Sequence, residues 1–91
     1  MSLHLYHLLL LSLGLKCYNQ EPGGNTLVIE CDLLGGANYC AKVTTPGGTK
    51  DARTCGIEMI TDAFFNLGLT GSGCTSIAGH KFCLCSTSLC N

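Results

Sequence analysis

Cys83-Leu84-Cys85, with His80 three positions upstream, sets two thiols and an imidazole at a spacing that a zinc ion or a redox couple can use. The same sulfurs also serve as disulfide halves, and the count favours that use. The eight cysteines stand at positions 17, 31, 40, 55, 74, 83, 85 and 90, an even number that pairs completely if no metal claims any of them. Bridges are therefore expected throughout, with no metal and no other cofactor, and His80 is read as a surface residue. Acid–base chemistry would have to come from Asp51, Glu58, Asp62 or His80. No motif sets two of these beside a nucleophile, so no catalytic residue is assigned and no enzymatic activity is expected.

Non-covalent chemistry is the remaining option. Phe64 and Phe65 are adjacent on a stretch with helical spacing, so both cannot face one core. One is expected to point outward as an apolar anchor for a partner. The turn at Thr45-Pro46-Gly47-Gly48-Thr49, flanked by Lys42 and Lys50, supplies two more candidate contacts, Pro46 and Lys50. Its simplest reading is a plain turn, which Lys42 and Lys50 only flank. Five Lys and Arg against six Asp and Glu give a net charge of −1. The cations are scattered singly, without the basic stripe and stacking aromatics of a nucleic-acid binder. Asn38-Tyr39-Cys40 lacks the serine or threonine of a glycan acceptor.

The elements that position these residues must form in a small chain. Residues 1–14, MSLHLYHLLLLSLG, carry no charged side chain, and Ser12 and Gly14 stand where a signal peptidase needs small residues. The segment is short and has only His4 and His7 where a lysine or arginine is usual, yet no polar alternation gives it the second face of a buried strand or helix. A signal peptide over residues 1–14 is expected, leaving one domain over residues 15–91. No stretch offers the roughly 20 apolar residues of a membrane span. So short a domain has a thin core, which covalent bridges in an oxidising compartment would supplement.

Turn signals divide the domain. Glu21-Pro22-Gly23-Gly24-Asn25 separates LKCYNQ from the strand-like TLVIEC, a first hairpin. Pro46-Gly47-Gly48 separates NYCAKVTT from TKDARTC, a second, with Gly35-Gly36-Ala37 as the connection. Ile57, Ile60, Phe64 and Leu67 then fall at helical spacing, with Thr61-Asp62 as an alternative cap and Gly68 as a stop. Thr70 to Gly73 reads as a loop, His80 to Cys85 as a closing strand, and Cys85 to Cys90 as a tight terminal loop.

LKCYNQ at the start of this domain, with FCLCSTSLCN at its end, resembles the lymphocyte-antigen-6/urokinase-receptor domains, the three-finger proteins, in an invertebrate-like style. The resemblance covers residues 15–91 and rests on the Leu-x-Cys-Tyr opening and on Cys85, four residues, Cys90, Asn91. It implies an all-β, disulfide-rich three-finger fold, in which the helical spacing from Ile57 to Leu67 would place one short helix in the third finger. It also implies the pairing Cys17–Cys40, Cys31–Cys55, Cys74–Cys83 and Cys85–Cys90, with Asn91 as a structural cap at the C-terminal end. The family's extra first-finger bridge has no counterpart, because Gln20 stands at the place of its first cysteine and no other cysteine precedes Cys31. Leu84 separates two cysteines that are neighbours in the family.

The function expected on this basis is that of a secreted, extracellular protein-binding module, a ligand or modulator of a membrane receptor or other extracellular protein. A disulfide-rich matrix protein is the rival. A lipid-anchored cell-surface modulator is the third reading, applicable if sequence continues past Asn91.

Overall fold

The computed structural model describes residues 14–48 and 50–91. The expected signal peptide lies outside the described residues except for Gly14. Strand β1 (Lys16–Asn19) pairs antiparallel with β2 (Leu27–Glu30) in a two-stranded sheet. A single 3-10 turn, Cys31–Leu34, leads through Gly35 and Gly36 to β3 (Tyr39–Thr44) and β4 (Asp51–Gly56). Helix α1 (Glu58–Asn66) follows, and then β5 (Gly73–Ile77) and β6 (His80–Cys85). The second sheet is antiparallel throughout, in the order β4-β3-β6-β5. The described residues form a small disulfide-rich all-β fold of three hairpins with one short helix, which sits in the connection leading into the third.

Local chemistry sets each hairpin tip. At the first, the Gly24 amide donates to the Glu21 carbonyl at 2.8 Å; at the second, Gly48 donates to Thr45 at 2.9 Å. Gly23 and Gly47 take φ of +77° and +85°, a left-handed backbone that glycine adopts without steric cost. The third hairpin turns through Ala78 and Gly79, both with positive φ, between the paired residues Ile77 and His80. Two central residues with φ above zero match the right-handed twist of the flanking strands.

Helix α1 begins after Ile57, whose backbone is extended and gives no side-chain cap. Thr61, weighed above as a cap, lies inside the helix and donates its hydroxyl to the Gly56 carbonyl at 2.7 Å. The helix stops at Gly68, φ +113°, as its glycine suggested.

The strand alternation sorts side chains onto two faces. On one, Ala41 and Leu84 pack with Phe64 and Leu69, with Tyr39, Val43, Ile60 and Phe82 around them. Phe64 and Phe82 meet edge to face with ring centroids 5.5 Å apart. On the other face the core is sulfur. Cys17, Cys31, Cys40 and Cys55 are fully buried, lined by Leu15, Ile29, Ala37, Ile57 and Cys85.

Candidate functional site

Register explains how so few residues hold three hairpins. Cys40 on β3 lies directly between Cys55 on β4 and Cys85 on β6. These cysteines form one row across the sheet, and each receives a bridge from a different segment. Cys17 of β1 bonds Cys40, Cys31 of the 3-10 turn bonds Cys55, and Cys90 of the terminal loop bonds Cys85. Cys74–Cys83 joins directly paired residues of β5 and β6. The four pairs are those the resemblance implies. Leu84 between Cys83 and Cys85 is 2% exposed on the opposite face, so the one-residue separation is the strand's own alternation.

The sulfurs of Cys17 and Cys31, from different bridges, approach to 3.3 Å. Those of Cys17, Cys31 and Cys55 lie within 4.8 Å of one another, the separation of metal ligands. All three are engaged in S–S bonds and present no thiolate. His80, the imidazole once paired with Cys83 and Cys85 as a ligand set, stacks on Phe82 at 6.3 Å between centroids.

A polar knot reinforces the row. The Asn91 side-chain amide donates to the carbonyls of Ala41 at 2.8 Å, Tyr18 at 3.0 Å and Thr54 at 3.3 Å, and its oxygen accepts from the Tyr18 amide at 2.9 Å. One side chain thus ties β1, β3 and β4 together. Arg53 completes the knot: its Nε donates to the Asn91 carbonyl at 2.6 Å, Nη1 to Gln20 Oε1, and Nη2 to Asp51 Oδ2 at 3.5 Å. Gln20 and Arg53 also exchange backbone hydrogen bonds of 2.8 and 2.9 Å. The position that lacks a cysteine therefore still fastens the first hairpin, by hydrogen bonds to β4.

The acid–base candidates separate. Asp51 is held by Lys42 at 3.6 Å and Arg53 at 3.5 Å, whereas Glu58 and Asp62 stand on the solvent face of α1.

Of the candidate partner contacts, Phe64 is 7% exposed and belongs to the core. This answers which of the adjacent phenylalanines faces inward, and it removes Phe64 as a contact because its ring fills the sheet–helix interface. Phe65 is the outward one, 38% exposed and edge-on to Tyr39 with centroids 6.2 Å apart. Pro46 and Lys50 are exposed around the second hairpin tip. Pro46 also lies close to the third hairpin's turn, 3.2 Å from where a Cβ on Gly79 would sit.

Sequence reasoning missed a pair of clefts at the bridged end of the second hairpin. They adjoin along Gly35, Gly36, Glu58 and Asp62, and measure about 580 and 560 Å³. The first is walled by Tyr39 and Phe65, the second by Leu34 and Met59. The signal lay in the exposed face of α1, where residues three and four apart share a side. Comparison of the chain with family models, with curated proteins and with solved structures finds no match.

Proposed function

We propose that this chain is a secreted, three-finger protein-binding module of the lymphocyte-antigen-6/urokinase-receptor type, a ligand or modulator of a receptor or other extracellular protein, and that it performs no catalysis. The observation that carries the reading is apolar surface left uncovered on a covalently fixed frame. Leu27 and Val28 on β2 are 64% and 56% exposed, and Leu33 and Met59 are 80% and 74% exposed. Exposed apolar side chains on a rigid frame favour association with a partner in water. The frame supports the same reading, since hairpins fixed by bridges lose little conformational freedom on binding. The bridges themselves suit an oxidising, extracellular compartment.

The test is binding of the secreted, labelled protein to intact cells and to extracellular matrix of its source. Saturable cell binding that unlabelled protein displaces is expected. Undisplaced, non-saturating deposition on matrix alone would favour the structural rival and contradict the proposal.

A further inference from the structure

We infer that the paired clefts beside α1 are the docking surface for a partner segment in which a lysine or arginine stands between apolar side chains. The inference rests on the protein-binding reading and deepens it by naming the face and the chemistry it takes. Glu58 and Asp62 lie one helical turn apart and border both clefts, so their carboxylates mark the boundary between them. Large side chains stand on either side, the rings of Tyr39 and Phe65 beside the polar Asn38 and Thr61 in one cleft, Leu34 and Met59 in the other. An occupant that matches this order carries a cation in the middle and apolar groups at its flanks.

Charge selects the sign. No lysine or arginine lines either cleft. The ion pairs among the described residues join Lys16 to Glu30 and Asp51 to Lys42 and Arg53, none of them involving Glu58 or Asp62. Lys50 and Lys81 lie near the tips of the second and third hairpins, at the other end of the strands. The domain thus presents two uncompensated carboxylates among apolar side chains, with Met59 at 74% and Leu34 at 47% exposure. Apolar anchors of this kind supply affinity, and a complementary charge fixes register and excludes acidic competitors. The facing wall is glycine backbone: Gly35 and Gly36 have φ of +92° and +89°, nothing lies within 4 Å of the place a Cβ would occupy on Gly35, and at Gly36 Asp32 Oδ1 comes to 3.9 Å. A peptide chain can approach it closely.

The test uses the whole bridged domain, nitrogen-15 labelled, titrated with a short synthetic peptide carrying one lysine between leucines. Two controls replace the lysine by glutamate or the leucines by serine. Saturable amide shifts at Gly35, Gly36, Glu58 and Asp62 are expected with the lysine–leucine peptide, with at least tenfold weaker binding of each control. A Glu58→Lys, Asp62→Lys variant, altered only on the exposed helix face, should keep its dispersed spectrum and prefer the glutamate peptide. Equal affinity for the lysine and glutamate peptides, shifts centred on the hairpin tips, or no saturable shift would overturn the inference. Cell binding by the same variant separates the two claims. Wild-type binding that the charge reversal leaves unchanged sinks the docking surface alone, whereas absence of wild-type binding sinks the broader reading.

Discussion

Replacing Cys31 and Cys55 together by Ala is expected to unfold the domain. The bridge closes a loop across a sequence separation of 24, and loop-closure entropy assigns such a link about 3.5 kcal/mol. That term is one part of the loss. Both sulfurs are fully buried against the neighbouring Cys17–Cys40 bridge, so their removal also hollows one of the two cores. Domains of this size have little stability in reserve, commonly about 5 kcal/mol or less. The amide region of the proton NMR spectrum should collapse to random-coil dispersion. Replacing Cys85 and Cys90 instead opens a loop of separation 5, for which the same relation gives about 2 kcal/mol, so that variant should melt lower while remaining folded. A Cys31/Cys55 variant that melts within a few degrees of the wild type would mean that the Phe64 cluster carries the fold.

The second large effect is expected at Asn91. Its Nδ2 faces three carbonyl oxygens, and Asn91→Asp puts a carboxylate oxygen in the place of that donor with almost no change of shape. The three acceptors then lose their partner and meet a negative charge, a cost of about 2–4 kcal/mol at neutral pH. Arg53 does not swing in to neutralise it, because its nitrogens are engaged by the Asn91 carbonyl, Gln20 and Asp51. Protonating the new carboxyl restores a donor, so its folded-state pKa is raised above the unfolded one. The sign follows directly: the folded form binds the proton more tightly, and stability is lost as pH rises through the carboxylate range. Urea unfolding at several pH values should show the variant's deficit relative to wild type widening from acid to neutral pH. Asn91→Ala, which removes the bonds and adds no charge, should show an intermediate deficit without that trend. Equal deficits at all pH values would place the Asn91 amide away from those carbonyls.

Much of this architecture is legible in the chain because its turns are spelled in glycine and proline. Glu21-Pro22-Gly23-Gly24 and Pro46-Gly47-Gly48 leave the backbone few alternatives, and the strands between them follow. The third hairpin is harder to read. Its turn is Ala78-Gly79, and alanine at φ +51° carries none of the Asn-Gly or Asp-Gly signal, so β5 is not apparent beside β6. The four bridged pairs come from a resemblance; spacing alone leaves 105 pairings open. Register then supplies the physical reason, since Cys55, Cys40 and Cys85 are lateral neighbours far apart in sequence. The site was less visible. That one of Phe64 and Phe65 faces outward follows from the impossibility of burying two adjacent aromatics on one helix face, and the fold decides that it is Phe65. The clefts beside it depend on Gly35, Gly36 and Leu34 arriving from another segment, a proximity that only the folded chain creates.

The bridged row is the claim on which the frame, the polar knot and the binding faces all depend, and peptide mapping without reduction tests it most directly. Protein recovered from the medium of secretory cells and digested unreduced should begin at Leu15. It should yield Cys17 linked to Cys40, Cys31 to Cys55, Cys74 to Cys83 and Cys85 to Cys90, with no free thiol. Cys83 joined to Cys90, or Cys17 joined to Cys31 across the 3.3 Å contact, would contradict the row and the account built on it.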